Sequence, residues 1–123
     1  MRLLQRAAFW YYARSVRKFT AGDVCSIKSD DRFSVAKILA MSGDVVHVRL
    51  YKEKFALRPQ TVGMGTLSLG RVDDPDGFGV GHLPLSRGTF GSWLPARFQS
   101  ELITDDEFIW VTEWEKSGGG VWS

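Results

Sequence analysis

Residues 18–55 read KFTAGDVCSIKSDDRFSVAKILAMSGDVVHVRLYKEKF. Three apolar-rich runs are separated by two polar clusters, Ser29-Asp30-Asp31 and Ser42-Gly43-Asp44. Clusters of this kind reverse the chain, because Asp and Ser bond their own backbone and Gly tolerates positive φ. The spacing therefore predicts strands over about 24–28, 33–40 and 45–52. In the third, Val46, Val48 and Leu50 alternate with Val45, His47, Arg49 and Tyr51. One face of that strand is apolar and the other polar, which places His47 in solvent. In the second, Phe33, Val35 and Leu39 alternate with Ser34, Ala36 and Ile38, so both faces are covered near its end. Cys25 alternates with Ile27 and reads as a small core residue.

Downstream, Arg58-Pro59 ends an extended run, and Gly63 and Gly65 argue against a regular strand around Met64. Residues 67–71 suit a short strand, and 73–77 (DDPDG) form a turn by composition. Residues 78–85 (FGVGHLPL) read as another strand, with Phe78, Val80 and His82 on one side. Gly79 and Gly81 on the other side leave room for a close approach. Ser86 is a fair N-cap for one or two helical turns ended by Leu94-Pro95, with Phe90 and Trp93 sharing a face.

The end of the chain, TDDEFIWVTEWEKSGGGVWS (104–123), holds three of the five tryptophans. Thr104 followed by Glu107 is a capping box, and Asp105 and Asp106 suit the positive end of a helix dipole. Lys116 suits the other end and Gly118 supplies the stop. The helix is expected over about 105–117. At 100° per residue Phe108, Trp110, Val111 and Trp114 fill a sector of roughly 160°, wider than the ~100° that one sheet face requires. Val111 and Trp114 sit at its centre, so they are expected to be buried. Phe108 and Trp110 lie at its edges, where one is free for contact. Trp122 follows three glycines and either docks on the body or meets a partner.

The fold class expected is α+β, mostly β: a small twisted antiparallel sheet or SH3-like barrel with a C-terminal helix packed on it. Residues 19–123 form a single domain, since 123 residues suffice for one core. Residues 1–18 stand apart, with five basic residues and no acid. Three readings of them are open: an N-terminal helix, a transit-like segment, or translation from an assigned start upstream of a true start at Val16. The remaining eleven basic and fourteen acidic residues give −3. A mildly acidic body argues against general nucleic-acid binding, which needs clustered Lys and Arg. One cysteine forms no internal disulfide and no apolar run reaches the ~18 residues that span a membrane, so a cytoplasmic protein is expected.

Little in the chain points to catalysis. Two histidines and one cysteine, far apart, have no zinc spacing, and no phosphate-loop glycine motif is present. Paired carboxylates fall only in turns and at a helix start. No enzyme, metal or cofactor is expected. His82 shares the parity of Phe78 and Val80 and reads as partly buried.

Three segments carry a resemblance: KFTAGDVCSIK (18–28), GHLPLSRGTFGSW (81–93) and LITDDEFIWVTEWEKSGGGVW (102–122). Together they resemble the small β-rich immunity proteins of bacterial polymorphic toxin systems, over most of residues 17–122. About forty residues of the first half also resemble SH3-like and Tudor-like barrels. The first resemblance implies a cytoplasmic protein that binds one cognate toxin domain and blocks it, with no catalytic residues to transfer. The residues expected to meet the partner are Asp73, Asp74, His82, Trp93, Asp105, Asp106, Trp110, Glu113 and Trp122. The barrel resemblance implies an alternative, a reader of a peptide or RNA using Tyr51, Phe55 and Phe78. A third alternative is a structural subunit that pairs its Trp-rich edge with another copy. Oligomeric state is not legible.

Overall fold

The computed structural model describes residues 19–122, so the readings of residues 1–18 lie outside the described residues. Five strands form one antiparallel sheet: β1 (Asp23–Ser29), β2 (Arg32–Ser42), β3 (Val45–Leu50), β4 (Val80–Ser86) and β5 (Ala96–Ser100). Two helices follow β4 and β5: α1 (Arg87–Ser92) and α2 (Asp105–Lys116). The spatial order is β4-β3-β2-β1-β5, so four strands run as a meander and the fifth returns beside the first. This is the open-sheet form of the expected fold class, with α2 packed on it.

Register explains the layers. Cys25 pairs with Ala36, and Ile38 with Val48, so these side chains share one face. With Ile27, Val46, Leu85 and Phe90 they form the main core. Helix α1 covers this face. Ser86 caps it as expected, accepting from Thr89 N–H, and buries Phe90 completely. Removing a phenyl ring from water at such a site contributes about 2–3 kcal/mol.

The opposite face carries Val24, Val35, Lys37, Arg49 and, beyond a bulge at Ile38–Ala40, His47. Part of it is covered by the excursion between β3 and β4, where Phe55, Met64, Leu67 and Leu69 pack on Val24, Val35 and Tyr51. The rest is covered by α2. Because both faces are covered, Ser34 to Leu39 are buried without a break, as the sequence of β2 suggested.

Residues 67–71, expected as a short strand, make single backbone bonds instead of a ladder. Ser68 O accepts from Lys52 and Leu69 O from Gly79, with strands on neither side. Strand β5 is absent from the strands that the sequence pattern predicts. Its alternation is legible in hindsight (Ala96 and Phe98 against Arg97 and Gln99), but five residues after a proline give little signal. Gly79 is required by its neighbour, because a Cβ there would strike the Leu50 carbonyl. The close approach expected at that glycine is therefore made by the end of β3.

Candidate functional site

Helix α2 is attached through polar groups. The capping box is complete: Thr104 Oγ1 accepts from Glu107 N–H, and Glu107 Oε1 accepts from Thr104 N–H at 2.9 Å. The same carboxylate reaches Lys37 in the middle of β2, with Nζ to Oε1 at 2.9 Å and both side chains under 10% exposed. Lys37 also donates to Leu102 O, and Arg49 stands 4.0 Å from Oε2. Burial alone would raise the Glu107 carboxyl. The Thr104 and Lys37 hydrogen bonds and the Lys37 charge outweigh it and hold the group below its ordinary value.

Two turns further on, α2 covers a histidine pair. His47 Nδ1 and His82 Nε2 are 2.9 Å apart, so one ring nitrogen donates to the other. The rings stack at 5.1 Å, His47 Nε2 meets Ser42 Oγ at 3.0 Å, and the Trp114 ring stands edge-on to His47 at 4.5 Å. His47 is fully buried, which corrects the solvent placement read from its parity. The parity was right, but the polar face of β3 lies under α2. Burial pushes the His47 imidazole down to about 4, with His82 adding to the shift, and burial also lowers His82. The neutral form of the pair is therefore the favoured one at pH 7.

The inward face of α2 is Glu107 and Val111, with Trp114 half-buried. The outward face follows from helical spacing. Asp106, Ile109, Trp110 and Glu113 recur at i, i+3, i+4 and i+7 and share one stripe. All four are exposed, Ile109 by 55% and Trp110 by 52%. An apolar pair is thus bracketed by two carboxylates on a rigid element. Phe108, also exposed, lies on the other flank. Trp122 docks through its backbone: its N–H donates to Pro84 O and its carbonyl accepts from Ser86, while the residue stays 67% exposed.

The nine residues expected to meet a partner do not form one surface. Asp106, Trp110 and Glu113 share the outward stripe of α2, with Asp105 exposed at its first turn. Trp122 lies on β4. His82 is under α2. Asp74 is engaged with Lys52 at 3.0 Å and with Arg71 N–H, contacts that hold its carboxyl below the usual range, and Asp73 is exposed beside it. Trp93 packs against Phe90 on the other face of the sheet. Sequence reasoning missed the buried trio Lys37, His47 and Glu107. A signal existed in a lone lysine inside the apolar run SVAKILA.

Trp93 also lines a groove of about 250 Å³ near the β1–β2 turn. Its apolar walls are Ile27, Leu50, Phe78 and Trp93, and its polar walls include Lys28, Ser29, Ser34 and Lys54. Lys54 donates to Ser34 Oγ at 2.7 Å, and Lys28 sits 4.8 Å over the Phe33 ring. Tyr51 and Phe78, two of the aromatics expected of a reader, line it, whereas Phe55 bridges to Phe33. Two lysines on the rim oppose a methylated cation.

Among the described residues no group of three or more His, Cys, Asp or Glu is placed to hold a metal, and no helix is long and apolar enough to cross a membrane. Comparison of the chain with family models, with curated proteins and with solved structures yields no match.

Proposed function

We propose that this is an immunity-type binding protein of the cytoplasm, which neutralises one cognate toxin domain by protein–protein contact, without catalysis or a cofactor. The observation that supports the reading best is the outward stripe of α2. Aromatic anchors with a polar surround are the usual energetic centre of an interface. Flanking carboxylates suit a basic partner and speed its approach. The capping box and the Lys37–Glu107 pair hold this helix rigidly on the sheet, so little ordering would be lost on binding.

The same stripe argues against self-pairing. Two copies of α2 packed antiparallel about a two-fold axis would set Asp106 opposite Glu113 of the other copy, and like charges oppose that interface.

The partner is sought in a neighbouring gene encoding a secreted protein with a variable C-terminal toxin domain. Co-expression with that domain is expected to rescue the cells and to yield a co-purifying complex. Trp110→Ala should weaken the complex at least tenfold, about 1.4 kcal/mol, while leaving the unfolding midpoint within error. Cells that die, with no complex recovered, would refute the proposal.

A further inference from the structure

The groove on the far side of the sheet from α2 has a charge that the fold leaves unanswered. A lysine ammonium has three donors. That of Lys54 donates to Ser34 Oγ at 2.7 Å and to Ser29 Oγ at 3.4 Å, which leaves one donor free. Neither Lys54 nor Lys28 forms an ion pair with a carboxylate among the described residues, although Lys37, Lys52 and Lys116 each do. Lys28 is held in place over the Phe33 ring, and Arg58 lies over the same ring at 4.7 Å. Arg58 is engaged with Ser26 and Leu94 O and does not line the groove, so the groove's cations are two lysines, Lys28 and Lys54. The apolar wall beside them includes Trp93, half-buried, and Phe78, 51% exposed. Large aromatic surface next to uncompensated, positioned cations matches a guest that is apolar at one end and anionic at the other.

We propose that this groove is a binding site for a small organic acid, an aromatic or branched aliphatic carboxylate. Its carboxylate takes the free donor of Lys54 beside Lys28, and its apolar body lies against Trp93 and Phe78. The volume of about 250 Å³ sets the size. Drug-sized ligands occupy roughly 300–1,000 Å³, so a single ring with a short acidic arm fits and a nucleotide does not. The site is independent of the α2 stripe, since the two lie on opposite faces of the sheet.

The test uses the full chain and 3-phenylpropanoate as probe, followed by NMR shifts of the Trp93 indole N–H and by calorimetry. For a fragment of this size a dissociation constant on the order of 1 mM is expected. The neutral amide of the same acid should bind at least tenfold more weakly. Lys54→Met should weaken the acid by a similar factor; it also removes the donor to buried Ser34 Oγ, so an unchanged amide affinity is the sign that the groove itself is intact. Phe78→Ala should weaken both acid and amide. The proposal is overturned if the Trp93 signal shows no saturable shift at ten times that concentration. It is overturned equally if the amide binds as well as the acid, if Lys54→Met binds unchanged, or if inorganic phosphate alone binds as tightly as the acid.

Discussion

Replacing Glu107 by Gln tests how α2 is held. The amide oxygen still accepts from Thr104 N–H, so the capping box survives in outline. What is lost is the charge opposite Lys37, whose side chain is 5% exposed. At 2.9 Å the pair attracts by about 6 kcal/mol gross at an effective dielectric of ~20. Part of this is recovered through Leu102 O, which Lys37 already uses, and through water admitted as the helix end loosens. A net loss of about 3 kcal/mol is expected, in the range for a buried pair broken on one side. In a domain of this size that lowers the midpoint by roughly 10 °C. The assays are thermal melting for the midpoint and urea unfolding followed by tryptophan fluorescence for the free energy, with an unchanged slope as the sign that the unfolded state is not the cause. The control is Glu113→Gln. Its partner Lys116 is 3.6 Å away, but both side chains are more than half exposed, so about 0.5 kcal/mol or less is expected. Adding Lys37→Met to Glu107→Gln should return most of the loss, because the buried ammonium is then no longer left unpaired. A Glu107→Gln loss no larger than that of Glu113→Gln would refute the reasoning, as would a further loss in the double variant.

Two other predictions follow from buried groups. Both histidines have lowered pKa values in the fold, so the stability they contribute is fully present above the unfolded value of 6.5 and is lost as pH falls below it, for His47 down to about 4. His47 alone accounts for about 3 kcal/mol over that window; urea midpoints between pH 7 and pH 4 should show the fall, and His47→Gln should flatten it. Gly79→Ala should destabilise by more than about 2 kcal/mol, because the added methyl meets the backbone carbonyl of Leu50, which no side-chain motion relieves. Equal midpoints for Gly79→Ala and the native protein in thermal melts would remove that contact from the account.

The sequence by itself determined the local elements. Turn residues at 29–31 and 42–44 placed the meander, because those side chains and glycines bend the backbone wherever they occur. Ser86, Thr104 and Glu107 placed both helix starts, since a cap is satisfied within four residues of itself. Val111, and the exposure of Trp110 at the edge of the apolar sector, also followed from the helical period. What lies on a second face did not. The period of two in β3 separates its faces but does not say what covers each, so His47 read as solvated while α2, some sixty residues later, buries it. For the same reason Glu107 read as a cap alone, although its carboxylate also neutralises Lys37 seventy residues away. The groove of Lys28, Lys54, Phe78 and Trp93 is assembled from four separate segments and exists only in the folded chain. Capping and turn chemistry are local and were legible. Burial of charge and the shape of a groove depend on which elements meet, and that is set by the packing of the whole sheet.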